Sequence, residues 1–184
     1  MSFPVLNLNG FIEKFRGIEA ARSYLFYIVP NIPGYQDINI TYFVKSSSLP
    51  SSTFDELSTS MQNLNFKTAG KRNFDTWNVS FYVDGSAAIR KAFTRWLNLI
   101  VNPVSGVHAY PSEYMRNQKV TLLAPDKKSE ILTYTLVKAY PSSVGEVPLD
   151  YGVVDYAQFD VSFTYQYHTI EEKYGVQTNQ PKAM

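Results

Sequence analysis

Between Phe74 and Val83 the chain alternates with a period of two. Trp77, Val79, Phe81 and Val83 fall on one face, and Phe74, Thr76, Asn78, Ser80 and Tyr82 on the other. Aromatic and β-branched residues in this alternation predict a half-buried strand. The residues leading into it, with Gly70, Lys71 and Arg72, read as a loop. After Asp84-Gly85-Ser86 the period changes. Ile89, Ala92, Phe93, Trp96, Leu97 and Ile100 recur at i, i+3, i+4, i+7, i+8 and i+11, which is one apolar stripe of an α-helix. Ser86 or Asp84 can cap its start, and Asn102-Pro103 ends it. Arg90, Lys91 and Arg95 point outward, either as a solvated face or as a partner-binding one.

The remaining pattern is mostly that of strands. Ser23 to Val29 is almost continuously apolar, as in a strand buried on both faces, and Pro30 stops it. Asn31 to Gly34 is a turn cluster. Ile38, Ile40, Tyr42 and Val44 then alternate with Asn39, Thr41, Phe43 and Lys45, predicting a second strand closed by Ser46 to Ser52. Thr53 to Phe66 has strand signals at both ends and a polar middle. It reads as a long hairpin with a projecting tip, or alternatively as a mobile surface loop. Residues 103–117 read as a loop and Val120 to Leu123 as a strand. Pro125 to Ser129 is a hairpin turn, and Ile131 to Ala139 is the returning strand. Tyr140 to Tyr151 reads as a corner. The last strand sets Ala157, Phe159, Val161, Phe163, Tyr165 and Tyr167 against Gln158, Asp160, Ser162, Thr164 and Gln166. Residues 1–20 read as an arm with a short helix from Asn9 to about Arg16. The polar tail, 171–184, is expected to fray.

Composition narrows the function. At 184 residues, 45% hydrophobic and 18% charged, the chain fits a single globular domain. Aromatics reach 15%, with 14 Tyr and 12 Phe, which suits packed strands or self-association surfaces. A net charge of +1 gives no field for holding nucleic acid. The absence of cysteine excludes disulfides and thiolate chemistry. No apolar run reaches the roughly 18–20 residues of a membrane span, and the first residues lack the pattern of a secretion signal, so no membrane anchor is expected. Phosphate-loop, dinucleotide-binding and nucleophile-elbow motifs are missing. His108 and His168 stand in a loop and at a strand end, without neighbours at ligand spacing. The carboxylates are scattered. No catalytic residue, metal ligand or cofactor is expected.

Three stretches carry a family resemblance. They are Ala69 to Phe81 (a Gly-basic-basic-x-Phe-Asp-x-Trp strand entry), the helix with Ile89 to Phe93 and Trp96, and Ala139 to Asp150. The last contains Pro-x-x-Val-Gly-Glu-x-x-Leu-Asp and precedes an alternating strand. Their order and spacing resemble the tail tube proteins of contractile-tailed bacteriophages, over roughly Tyr24 to Tyr167. The resemblance implies a small β-barrel or sandwich with one flanking α-helix, which with the residue pattern gives a mostly β, antiparallel fold carrying a projecting hairpin. It implies hexameric rings stacked into a tube inside a contractile sheath, assembled in the host cytoplasm and carried in the virion tail. The implied partners are further copies of the chain, the sheath protein, baseplate and terminator proteins, and tape measure protein and DNA held in the lumen without specific binding.

Within that frame two surfaces are expected to matter. Gln158, Asp160, Ser162 and Thr164, with Thr76, Asn78 and Ser80, are candidates to face the lumen, where a wall without a basic surplus would let DNA slide. Plain solvent exposure is the other reading. Phe54, Leu57, Met61, Leu64 and Phe66 on the hairpin are candidates for contact between stacked rings. Alternatives are a single-ring baseplate or terminator component, the inner tube of a phage-derived injection or secretion system, a ligand-binding barrel, and an enzyme.

Overall fold

The computed structural model describes residues 21–35, 38–152 and 154–172. Its strands are β1 (Phe26–Val29), β2 (Val44–Ser47), β3 (Ser52–Met61), β4 (Leu64–Phe74), β5 (Trp77–Tyr82), β6 (Arg116–Leu123), β7 (Glu130–Val144), β8 (Gln158–Thr164) and β9 (Tyr167–Glu172). Helix α1 spans Ala88–Ile100, and the one-turn helix α2 spans Pro111–Tyr114. The fold is mostly β, as expected. The short arm helix proposed near Asn9 lies outside the described residues.

Seven strands form one antiparallel sheet in the order β1-β6-β7-β8-β5-β2, with β9 also on β7. The strand that makes this a two-sided fold is β7. Its first part pairs with β6 and β9, and its second part, from Tyr140, pairs with β8. Between them Lys138 takes a left-handed φ of 54°, and a bulge follows at Pro141–Ser143. A strand that bends and bulges in this way carries a sheet round a corner. The corner expected over Tyr140 to Tyr151 therefore begins earlier, at Lys138, and is built inside β7, which runs on to Val144.

The other side of the corner bends to match. The alternating run from Ala157 to Tyr167 is not one strand. It breaks at Tyr165–Gln166 into β8 and β9, which together follow β7 across the bend. Gln166 N donates to Val137 O at 3.1 Å there. Tyr165 is buried, whereas Tyr167, expected on the same face, is exposed because it lies beyond the break. Glu171 and Glu172, expected to fray, belong to β9 and pair with Thr133 and Leu132.

The core forms where the strands turn their apolar residues toward α1. Trp77, Val79 and Phe81 of β5 and Phe159, Val161 and Phe163 of β8 are buried, in the expected alternation. Ile28, Val120 and Leu136 join them from the other half of the sheet. The helix buries Ile89, Ala92, Phe93 and Trp96 of the predicted stripe, while Leu97 and Ile100 are half-buried. The Phe93 ring lies 5.0 Å from Phe81, 6.0 Å from Phe159 and 6.1 Å from Phe163. The two buried indoles each donate to a carbonyl: Trp77 Nε1 to Ser48 O and Trp96 Nε1 to Tyr114 O, both at 2.8 Å. Burying an indole with its N–H satisfied avoids the desolvation penalty of an unpaired donor.

The helix start shows how local sequence was used. Its N-cap position is Ala87, with a φ of 53° and no side-chain oxygen to offer. Asp84 reaches across instead and accepts from the backbone N–H groups of Ala88 at 3.0 Å and Ile89 at 3.1 Å. Burial pushes the Asp84 carboxyl up, but hydrogen bonds from the Ser86 hydroxyl and from the Ile89, Ala88 and Ser86 amides outweigh it and hold the pKa at about 2. Of the two residues proposed to cap the helix, Asp84 does so.

Three other expectations are corrected. Ser23–Val29 is not buried on both faces. The strand begins at Phe26 and, among the described residues, lies at the sheet edge and pairs only with β6, with Tyr24 and Val29 exposed. Ile38–Phe43 is a 3-10 helix, and only Val44–Ser47 is a strand. Its contact period is three: Ile40 and Phe43 meet the core while Tyr42 is exposed. Three residues per turn is the period of a 3-10 helix. Gly70, Lys71 and Arg72 form part of β4 instead of a loop. A bulge opposite Asp55 accommodates Gly70, where an added Cβ would meet Asp55 O at 3.0 Å.

Candidate assembly surfaces

The first surface is the outer side of the β2–β5–β8 sheet. Because Phe159, Val161 and Phe163 point into the core, Gln158, Asp160, Ser162 and Thr164 stand on the opposite side. They are joined there by Asn78, Ser80 and Tyr82 of β5, which register against Ser162, Asp160 and Gln158. Polar groups bridge the strands. Ser162 Oγ donates to Asn78 Oδ1 at 2.7 Å, Ser80 Oγ donates to Asp160 Oδ1, and Lys45 Nζ from β2 donates to Gln158 Oε1. Across the facing positions of the three strands, Lys45 and Asp160 offset one another, leaving a polar wall without net charge. Thr76 and Gln166, expected in this face, fall outside the strands. Lys45 was missed because the alternation assigned its segment to a longer strand.

The second surface is the β3–β4 hairpin. Among the described residues, its strands pair only with each other. They turn at Gln62-Asn63, with φ of 47° and 65°. Two successive positive φ values make the turn type that matches the twist of a two-residue hairpin. The hairpin reading holds, and its arms are longer than expected, running from Ser52 to Phe74. The register places Leu57 beside Thr68, Thr59 beside Phe66 and Met61 beside Leu64. Leu57, Met61, Leu64 and Phe66 therefore share one face, with Asp55 on the same face nearer the root. Glu56 pairs with Lys67 on the other, at 3.0 Å. Phe54 follows the alternation of Glu56 and falls on that second face, under the Arg72 guanidinium. The four stripe residues are 57–76% exposed, so the fold itself covers none of them.

The hairpin is clamped at its root. Phe74 contacts the rings of Tyr165 and His168, and Arg72 lies 5.1 Å over the Phe74 ring. His168 packs further against Tyr134, and its Nδ1 is buried without a hydrogen-bond partner among the described residues. Burial first, and the Arg72 charge second, lower its pKa below the ordinary 6.5. A histidine whose pKa is lowered on folding stabilises the protein only while the unfolded chain is also neutral. Stability is therefore complete above about pH 6.5 and declines as the pH falls below it, because the unfolded chain takes up the proton first. Urea denaturation at pH 7.5 and pH 5 should show a loss of midpoint that shrinks in His168→Phe. An unchanged pH dependence in that variant would contradict this assignment. His108 is bridged to Val101 in the loop after α1. Among the described residues no group of three or more His, Asp or Glu could hold a metal ion, and no helix is long and apolar enough to cross a membrane.

The motif Pro-x-x-Val-Gly-Glu has a structural explanation. Gly145 N donates to Asp160 O at 2.7 Å, and an added Cβ would meet that same oxygen at 3.2 Å. Arg90 donates to Gly145 O at 2.5 Å and stacks 5.0 Å from the Phe159 ring. One of the outward cations of the helix thus ties α1 to the β7–β8 crossing and is not simply solvated.

Comparison with known proteins agrees with this architecture. The tail tube protein gp19 of Enterobacteria phage T4 is 27% identical over 159 residues, covering 84% of this chain and 94% of gp19. Among solved structures, the tube terminating cap of the anti-feeding prophage superimposes with a TM-score of 0.67 at 16% identity, covering 85% of this chain and 93% of the cap protein. A chain of the extended sheath–tube complex of an extracellular contractile injection system, PVC, superimposes with a TM-score of 0.64 at 13% identity, covering 88% and 97%. The phage tail tube protein family matches residues 19–171, so the chain belongs to that family and is a structural protein of the virion tail.

Proposed function

We propose that this protein is the repeating subunit of the tube of a contractile phage tail, assembled as hexameric rings that stack inside the sheath and enclose a channel for DNA. The observation that carries this reading is a sheet backed by a complete core and wet on its outer face, next to a hairpin whose apolar stripe the subunit leaves uncovered. Among the described residues, edge strands β1, β2 and β9 each pair on one side only, and an open edge invites a strand from a neighbour. Joined edge to edge in a ring, the β2–β5–β8 sheets would line a continuous wall. Gln158, Asp160, Ser162 and Thr164 would then face the lumen, where a wall of near-zero charge would not bind the DNA that passes. The hairpin stripe would join one ring to the next. Sheath, baseplate, terminator and tape measure proteins are the expected partners, and the role is structural, not catalytic.

Electron microscopy of the purified protein, without tags at either end, tests this. Long hollow tubes, formed alone or on added baseplates, are the expected result. Isolated rings that never stack would assign it instead to a single-ring terminator or baseplate component. Monomers that persist in the presence of baseplates would overturn the reading.

A further inference from the structure

The hairpin and the β7–β8 connection lie at opposite ends of the same sheet. The hairpin root, Phe74, adjoins the Trp77 end of β5, which pairs with Phe163. The connection enters β8 at the other end, where Tyr82 pairs with Gln158 and Val83 N donates to Ala157 O at 2.8 Å. The six residues of β5 separate the two ends by about 20 Å. On the connection, Leu149, Tyr151, Val154 and Tyr156 are each at least 80% exposed. It also carries Glu146, Asp150 and Asp155, and no Lys or Arg occurs between Lys138 and Lys173. The hairpin has a small positive balance overall, with Lys67, Lys71 and Arg72 against Asp55 and Glu56; Lys67 and Arg72 stand on the face opposite the apolar stripe.

An uncovered apolar stripe on a mildly basic arm at one end, and an uncovered apolar, acidic segment at the other, are complementary between copies in head-to-tail order. A heterologous contact either closes into a ring or propagates along an axis, and one joining opposite ends of the subunit, as here, suits propagation. We infer that the hairpin stripe of one copy seats on the β7–β8 connection of the copy next along the tube, with Leu149, Tyr151, Val154 and Tyr156 as the receiving side chains. The inference rests on the hairpin being the contact between rings, and it names the surface that contact meets.

Because the chain has no cysteine, single thiols can be placed at will. Met61→Cys and Val154→Cys subunits, mixed, assembled and oxidised, should give roughly tenfold more disulfide-linked heterodimer than Met61→Cys mixed with Leu99→Cys on α1, since a bridge needs close approach of the two backbones. No excess over that control would overturn the inference. The variant Tyr151→Ser with Val154→Ser should remain folded and form rings that do not stack. Tubes of normal length from it would also overturn the inference. If a shortened hairpin stops stacking while the Tyr151 and Val154 variant stacks normally, the receiving surface is wrong and the hairpin reading stands. If tubes form without the hairpin, the hairpin reading itself fails.

Discussion

A subunit lacking the outer hairpin will fold normally and form no long tubes. Removing Ser58 to Lys67 and rejoining Leu57 to Thr68 through Asn-Gly keeps the paired root and a turn of the required type. The body should not sense the change. Three of the four stripe residues are lost, and each is well exposed in the subunit, so no core contact goes with them. The assembly should sense it strongly. Covering four such side chains contributes about 1.5–3 kcal/mol each, so the contact supplies on the order of 6–12 kcal/mol gross, against an association cost of about 4–15 kcal/mol. With most of that term gone, stacking should fail while lateral ring contacts remain. Thermal melting would confirm the fold, and electron microscopy would count tubes. Intact tubes would remove the hairpin from the assembly mechanism.

Truncation of Phe93 to alanine will have the largest effect on the subunit itself, a loss of about 3–5 kcal/mol. Phe93 is fully buried and touches Phe81, Phe159 and Phe163, the residues that turn the wet sheet into a two-sided one. Total stability for a domain is only about 5–15 kcal/mol, so the variant should be marginal at 37 °C. Leu99→Ala, on the same helix but 40% exposed, should change stability by less than about 0.5 kcal/mol. Urea denaturation of the unassembled subunit measures both. Similar losses at the two positions would contradict the packing of α1 on β5 and β8. The variant should also assemble poorly, because the outer face of the sheet is positioned by the core behind it.

The two substitutions separate two kinds of apolar surface. One kind, around Phe93, is satisfied within the chain. The other, on the hairpin and the β7–β8 connection, is exposed in the subunit, as the contacts proposed above require. The outer sheet face differs from both: it is polar, Lys45 and Asp160 offset one another there, and it suits the conduit wall proposed above.

Periodicity alone determined the parts that repeat. The alternation at Trp77, Val79 and Phe81, the helical stripe at Ile89, Phe93 and Trp96, and the alternation at Phe159, Val161 and Phe163 each placed core and surface correctly, because burial on one face imposes the period of the element. The motif order also carried the family, now matched over residues 19–171. Other features depended on neighbours distant in sequence. Ile38–Phe43 alternates like a strand, yet the core it meets sits at a spacing of three and makes it a 3-10 helix. Lys71 and Arg72 look like loop cations, yet pairing with β3 draws them into a strand. The run through Tyr165 looks continuous, but it must bend where β7 bends at Lys138. That Phe54 falls on the opposite side from Leu57, Met61, Leu64 and Phe66 depends on strand register, as does the union of Lys45, Asn78 and Asp160 on one face. Local spacing fixes which way a side chain points within its own element; which elements meet, and where a strand must bend to meet them, is settled only when the whole core closes.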